Sequence, residues 1–170
     1  MSIHRPVILY TTGESFIEDI TVKYQYDTAS KQTAVTPEIV VNGEYETLKL
    51  AIKDEQGRVV AEATDTDLVI EDTQLWQPLN AYLYQLSVSV MQAGKLVDAY
   101  TEVFGVRTLK IENNQFYIND KPFYFKGFGK HEDFPVIGRG LNHAVINLDL
   151  NLMKWTNANS MRAAHYPYSE

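Results

Sequence analysis

The fold of this chain is constrained most by two β-prone segments, each of which ends in charged and imidazole side chains. They span residues 123–133 and 159–167, and their predicted strands cover 123–126 and 160–164. Residues 145–157, which lie between them, carry apolar side chains at intervals of three and four residues, which predicts an amphipathic helix. In parallel α/β enzymes, polar residues at the C-terminal tips of such strands carry the chemistry. The sequence therefore predicts a β-α-β unit with a candidate site at its strand tips.

A β-rich region precedes this unit. Its predicted strands cover residues 16–26, 34–42, 46–53, 58–63, 67–71, 82–91 and 96–105. Turn-forming pairs such as Asn42-Gly43 and Ala93-Gly94 separate them, and a series of short strands of this kind indicates an immunoglobulin-like β-sandwich. The chain contains no cysteine, so apolar packing rather than a disulfide must hold the two sheets together. Trp76 is expected to be one of the packing residues.

Both ends of the chain leave strands without an obvious partner. Residues 3–12 are β-prone, and such a strand either pairs later in the chain or closes a domain that lies upstream. At the other end, a single β-α-β unit buries too little apolar surface to stand alone, since a parallel sheet needs several such units. We therefore expect this sequence to be a piece of a longer protein.

Composition and charge exclude several classes of function. The net charge of -7 and the pI near 5.1 argue against nucleic-acid and anionic-membrane partners, which require a basic surface. No stretch approaches 18 uninterrupted apolar residues, so no membrane span is expected. Gly127-Phe128-Gly129 lacks the third glycine of a dinucleotide-binding loop, and no cofactor is expected. The absence of cysteine fits a reducing compartment, so we expect a cytoplasmic location.

The polar cluster at the strand tips contains His131, Glu132 and Asp133 after the first strand, and Arg162 and His165 at the second. One interpretation is a charged rim of a sheet whose members satisfy one another. A second is a metal site built from His131, Asp133 and His165, but their spacing matches no named metal motif and we expect no metal. A third is a site for a polyol such as a sugar. The aromatic side chains available for a sugar are Phe128, Tyr166 and Tyr168.

Two runs of the sequence resemble glycoside hydrolase family two. Residues 159–167 read Asn-Ser-Met-Arg-Ala-Ala-His-Tyr-Pro, which is similar to the family's motif near the second barrel strand. Residues 118–127 resemble the hairpin and first strand of the family's barrel, with Asp120 in place of the usual glycine, a tolerable change in a turn. Residues 75–78 and 104–107 match landmarks of the family's sandwich. The resemblance covers essentially the whole chain.

Within the family, the run over residues 121–133 is most similar to the β-glucuronidases, and residues 3–12 resemble the end of their jelly-roll domain. The resemblance implies three parts, namely the last jelly-roll strand over 1–13, an immunoglobulin-like sandwich over 14–106, and the start of a (β/α)₈ barrel over 107–170. The implied fold class is mainly β, with an immunoglobulin-like β-sandwich followed by the first β-α-β piece of a truncated TIM barrel.

The activity that the resemblance implies is retaining hydrolysis of β-D-glucuronides. Such a reaction requires two carboxyl groups about 5 Å apart, one as acid/base and one as nucleophile. In the family the acid/base follows an asparagine on the fourth barrel strand, and this sequence contains no Asn-Glu pair. We therefore expect no catalytic residue within the chain and predict that it is inactive by itself. A β-galactosidase or β-mannosidase of the same family, and a sandwich that serves only as an interaction module, are the alternatives.

The resemblance also implies roles for the polar cluster. Asp133 and His131 are expected to bind sugar hydroxyls, and Arg162 and His165 to form the floor of the site near the acid/base. Glu132 is expected to be a structural residue or a further binding residue. The implied partner is a β-glucuronide substrate. We also expect a homo-oligomer formed through apolar residues that the barrel piece leaves exposed, namely Phe123, Phe125, Val145, Leu148, Leu152 and Trp155.

Overall fold

The computed structural model describes residues 7–140 and 142–164, which form two compact units. One unit contains Thr11–Pro122, and the other contains the described residues from 123 onward together with 7–10. Residues 7–12 form no strand, so the strand predicted over 3–12 is wrong in this part, and the rest of it lies outside the described residues. Among the described strands none pairs with this segment, and a strand forms only where its backbone groups find a neighbour.

The first unit contains the sandwich. Its strands are β1 (Phe16–Asp27), β2 (Gln32–Asn42), β3 (Thr47–Lys53), β4 (Val59–Thr64), β5 (Leu68–Ile70), β6 (Tyr84–Gln92) and β7 (Lys95–Phe104). One sheet has the order β1-β2-β5 and the other the order β4-β3-β6-β7, and all the described pairs within them are antiparallel. The seven predicted strands are confirmed, with each boundary within two residues of the observed one.

The sandwich core follows directly from the alternation of apolar and polar residues along the strands. Leu86, Val88 and Val90 of β6 are fully buried, and Ile52 of β3 joins them from the same sheet. Val35 of β2 contributes to the same core from the other sheet. Burial of each such side chain stabilises the fold by roughly 1.5–3 kcal/mol. This packing replaces the disulfide that a cysteine-free sandwich lacks.

Trp76 is a packing residue, as the sequence indicated. Its indole lies so close to Gly105 that a Cβ at that position would stand 2.9 Å from the ring. The Arg107 guanidinium lies 5.0 Å from the centre of the ring, a cation–π distance. The Trp76 carbonyl also accepts a hydrogen bond from the Asn119 side chain at 2.8 Å. Trp76 thus ties the link before β6 to the segment that follows the sandwich.

A three-stranded sheet follows, made of β8 (Leu109–Glu112), β9 (Gln115–Ile118) and β10 (Lys121–Phe123) in the order β10-β9-β8. The predicted strand over 123–126 is wrong, because β10 begins earlier and ends at Phe123. Asn119 and Asp120 both have positive φ, the geometry of a tight two-residue hairpin turn. This turn returns the chain at once onto β9, so the residues just after it join the hairpin instead of a new sheet.

The predicted β-α-β order is confirmed, but its first strand is β11 (Gly127–Lys130) and not the predicted strand over 123–126. The unit consists of β11, α1 (His143–Trp155) and β14 (Ser160–Ala163), and its two strands are parallel. Between β11 and α1 lies a small hairpin of β12 (Asp133–Phe134) and β13 (Gly138–Arg139), which the sequence analysis did not predict.

The start of α1 differs from the expected one. The side chain of Asn142 caps the helix by accepting a hydrogen bond from the Val145 N–H at 3.1 Å. An asparagine oxygen at this position satisfies an N–H that has no partner within the helix. The helix therefore begins two residues before the predicted range of 145–157 and ends two residues before its end.

The second unit exposes much of its apolar surface. None of the residues of α1 is buried, and Leu148, Leu152 and Trp155 are 47%, 50% and 83% exposed. Phe125 is also exposed, whereas Phe123 and Val145 are half-buried.

Across residues 7–140 and 142–164, no helix is both long and apolar enough to cross a membrane.

Candidate functional site

The parallel pair of β11 and β14 brings two strand tips side by side. Its register aligns Gly127 with Ser160 and Gly129 with Arg162. The backbones approach so closely at the first pair that a Cβ on residue 127 would lie 1.9 Å from the Ser160 carbonyl oxygen. Only glycine fits there without a shift of the chain. The N–H of Ala164 donates to the Lys130 carbonyl at 3.2 Å, which extends the pairing to the tips.

Arg162 points away from the helix. Lys130 at the end of β11 pairs through its Nζ with Asp149 Oδ2 of α1 at 2.6 Å, so its side chain lies on the helix face of the sheet. Side chains alternate between the two faces of a strand, and Arg162 is aligned with Gly129, the neighbour of Lys130. Arg162 therefore lies on the opposite face, where its side chain is exposed and glycine leaves open space beside it.

His131, Asp133 and Arg139 form a polar group just beyond the tip of β11. The Asp133 carboxylate accepts a hydrogen bond from Arg139 Nε on Oδ1 at 3.2 Å, and its Oδ2 lies 3.9 Å from His131 Nδ1. The pairing of β12 with β13 places Asp133 directly opposite Arg139. About half of each of these three side chains is exposed, so the group is open to a polar ligand.

Glu132 differs from its two neighbours in burial. It is only 6% exposed, and its carbonyl accepts a hydrogen bond from the Gly140 N–H at 3.2 Å. That bond closes the loop that contains β12 and β13. The position of Glu132 fits the structural role rather than a direct contact with a ligand in solvent.

The structure brings some of the expected site residues together. His131 and Asp133 are neighbours, and Arg162 lies one strand away and two residues back in register. Strand spacing and rise put its backbone on the order of 8 Å from that of His131. His165 lies outside the described residues. Within 7–140 and 142–164 no three histidine, cysteine, aspartate or glutamate side chains are grouped as metal ligands would be.

A cavity of about 330 Å³ lies beside the group, lined by His131 and Asp133 and by Leu152 and Met153 of α1. Its mixed lining of charged and apolar side chains is typical of small-molecule pockets. Arg162 lies on the other face of the sheet and is not among the residues that line this cavity.

Sequence reasoning missed Lys130, Asp149 and Arg139. A hairpin between β12 and β13 could have been predicted from Pro135 and Gly138, which are typical turn residues,. Such a hairpin places Arg139 opposite Asp133. The contact of Lys130 with Asp149 spans a helix and a strand and has no comparable local signal.

Comparison with known proteins defines the family. Residues 15–107 match the model of the glycosyl hydrolases family 2, and residues 109–170 match that of the family's TIM barrel domain. The chain belongs to glycosyl hydrolase family 2. This confirms the resemblance and the fold class, a mainly β chain in which a sandwich is followed by the start of a TIM barrel.

Several β-glucuronidases of this family are similar to the chain. Those of Paenibacillus borealis and Streptococcus agalactiae are 43% and 41% identical to this chain over 171 and 168 residues, and the human protein is 38% identical over 179. The apo structure of β-glucuronidase from Ruminococcus gnavus is similar with a TM-score of 0.85 at 38% identity, covering 92% of this chain and 27% of that one. The curated relatives match over 99% of this chain. The chain spans 27–28% of their length.

Proposed function

We propose that this chain is part of a retaining β-glucuronidase, to which it contributes the sandwich and the first two strands of the barrel. The observation that carries this proposal is the similarity of 99% of the chain to β-glucuronidases of bacteria and mammals at 38–43% identity. The domain assignment that goes with it is the end of a jelly-roll domain over 1–13, the sandwich over 14–106 and the barrel from 107 onward.

In this proposal Asp133 and His131 bind sugar hydroxyls. A carboxylate accepts hydrogen bonds from two hydroxyls, and an imidazole both donates and accepts. Both side chains are half-exposed beyond a strand tip, where barrel enzymes hold their substrates. The Ruminococcus gnavus enzyme has been solved in complex with D-glucuronic acid, which supports a uronic acid as the ligand class.

Arg162 and His165 would form the floor of the same site. Arg162 lies on the face of the sheet away from α1, and in a barrel this is the face that lines the interior. A guanidinium there supplies fixed positive charge and five N–H donors. His165 is assigned the neighbouring position from the motif over residues 159–167.

The catalytic carboxyl groups would come from other parts of the protein. Retaining hydrolysis requires a nucleophile and an acid/base about 5 Å apart. Among the carboxylates at the tip of β11, Glu132 is buried and Asp133 is held by Arg139, so neither is presented as such a pair. The chain by itself is therefore expected to be inactive, and no cofactor is required for this chemistry.

Turnover of a chromogenic β-D-glucuronide tests the proposal. The assay compares the 170-residue chain with the same sequence extended to the length of its relatives, using β-D-galactoside and β-D-mannoside substrates in parallel. We expect turnover only by the extended protein and only of the glucuronide. Preference for either other sugar would favour the alternative members of the family, and turnover by the 170-residue chain would contradict the assignment of the catalytic groups.

We also propose a homo-oligomer in the cytoplasm. The exposed apolar side chains of α1 support self-association,, and the absence of cysteine fits a reducing compartment,. The acidic net charge of -7 supports the absence of nucleic-acid and membrane partners.

A further inference from the structure

Lys130 is a buried cation at the base of the candidate sugar site. The residue is 5% exposed, although lysine is almost never fully buried unless it is paired. Its Nζ lies 2.6 Å from Asp149 Oδ2 and donates a hydrogen bond to the His131 carbonyl oxygen, also at 2.6 Å. A single ammonium group therefore connects α1 to the first residue beyond β11.

An ion pair with a buried ammonium group is a costly way to fill this position. Lys130 is removed from water and Asp149 partly so, and apolar residues of similar volume often stabilise a protein equally well. An apolar side chain would also suit the helix face of β11, where Phe128 lies. Packing alone therefore does not account for a lysine at residue 130.

The hydrogen bond to the His131 carbonyl does account for it. β11 ends at Lys130, so the peptide that follows has left the strand ladder. A backbone carbonyl at such a place needs a partner, and Lys130 supplies one that is fixed in turn by Asp149. The orientation of this peptide sets the directions of the His131 side chain and of the chain leading to Asp133.

We propose that Lys130, held by Asp149, is a positioning residue for substrate binding. It fixes the His131 peptide and thereby the directions in which His131 and Asp133 present their polar atoms. This inference rests on the proposed function, in which those two residues bind the sugar. Misplacement of binding groups by 1 Å costs as much as about 100-fold in rate, so loss of Lys130 is expected to raise KM by about 10-fold or more.

The test separates positioning from stability with a double variant. Lys130→Met in the extended protein leaves the half-buried Asp149 without its cation, and should lower Tm and raise KM for a β-D-glucuronide. Lys130→Met combined with Asp149→Leu removes both charges and should recover most of Tm. We expect KM to stay raised in the double variant, because the His131 carbonyl still lacks the hydrogen bond from the Lys130 ammonium group. Recovery of KM together with Tm would overturn the proposal.

Hydrogen exchange on the 170-residue chain tests the role of Lys130 without an activity assay. The Gly140 N–H is bonded to the Glu132 carbonyl, and its exchange should accelerate at least several-fold in both variants that lack Lys130. Lys23→Met is the matched control, since Lys23 forms an exposed pair with Glu38 on the sandwich. An unchanged Gly140 exchange rate would overturn the positioning role. If the extended protein cleaved no glucuronide, the proposed function would be wrong. The exchange rate of the Gly140 N–H would still show whether Lys130 positions the His131 peptide.

Discussion

Asp133 lies between the side chains of Arg139 and His131 at the tip of β11. Arg139 Nε contacts one carboxylate oxygen at 3.2 Å, and His131 Nδ1 lies 3.9 Å from the other. These two contacts therefore orient the Asp133 carboxylate.

Replacing Arg139 is expected to weaken substrate binding only modestly. The pair is about half-exposed, and exposed ion pairs are worth about 0.2–1 kcal/mol, so Arg139→Ala in the extended protein should lower kcat/KM about two- to fivefold. Asp133→Ala, which removes the ligand-binding group itself, should cost far more. Steady-state kinetics on a β-D-glucuronide checks this order, and an Arg139→Ala loss equal to that of Asp133→Ala would contradict it.

Asp54 is the clearest source of pH-dependent stability in the sandwich. It is only 3% exposed, and burial by itself would raise the pKa of its carboxyl. Hydrogen bonds from the Arg58 Nε at 2.7 Å and from the N–H groups of Arg58 and Gln56, both at 2.9 Å, outweigh that effect. The pKa of Asp54 is therefore held below its ordinary value of 3.8.

The direction in which pH changes stability follows from the linkage between protonation of Asp54 and folding. A carboxyl whose pKa is lower in the folded state stabilises the fold above its unfolded pKa, and this contribution is lost as pH falls through the folded pKa. Tm should therefore drop below about pH 3.8, and Asp54→Asn should make that drop shallower. Thermal melts at pH 3 to 7 check this, with the exposed Asp67→Asn as control. Identical pH profiles for Asp54→Asn and the unaltered chain would contradict the assignment.

At the scale of elements, the pairing of β11 with β14 depends on one glycine. A methyl group at residue 127 would lie 1.9 Å from the Ser160 carbonyl oxygen, whereas nothing lies within 4 Å of the equivalent point on Gly129. The two glycines occupy the same strand and share a face, so they form a matched pair for substitution.

Gly127→Ala is expected to disrupt this pairing and Gly129→Ala to preserve it. Forcing extra atoms into a close contact typically costs about 1–3 kcal/mol. The readout is the exchange rate of the Ala164 N–H, which is bonded to the Lys130 carbonyl and should lose protection only in Gly127→Ala. Equal protection in the two variants would show that the close approach does not determine the pairing.

At the scale of the whole molecule, the helix of the second unit exposes large apolar side chains. Trp155 is 83% exposed and Leu152 is 50% exposed on α1. Contiguous apolar surface of this kind promotes association in water. The 170-residue chain is therefore expected to self-associate through α1.

Light scattering coupled to size-exclusion chromatography tests this expectation. The measured mass should exceed the 19.4 kDa of one copy at micromolar concentration. The double variant Leu152→Gln with Trp155→Gln should return the measured mass to that of one copy. Val59→Gln with Val69→Gln, which removes exposed apolar residues from the sandwich, is the control. A chain that elutes as a monomer at every concentration would exclude the homo-oligomer proposed for it.

The sequence by itself determined the sandwich and the family. Alternation along β6 places Leu86, Val88 and Val90 on one face wherever the strand lies, because side chains in a strand alternate with a period of two. The motif over residues 159–167 is contiguous and can be read without a structure. The β-α-β order followed from the same local periodicities.

Only the tertiary structure decided where the barrel strand begins and which groups hold the site. The hairpin turn at Asn119 and Asp120 places β10 next to β9, so the next strand begins only at Gly127. Residues 121–126 could pair with β9 or belong to the barrel strand, and local β propensity does not distinguish these two pairings. The contact of Lys130 with Asp149 joins residues from a strand and a helix. Contacts of this kind depend on how two elements pack in space, so no local pattern in the sequence specifies them.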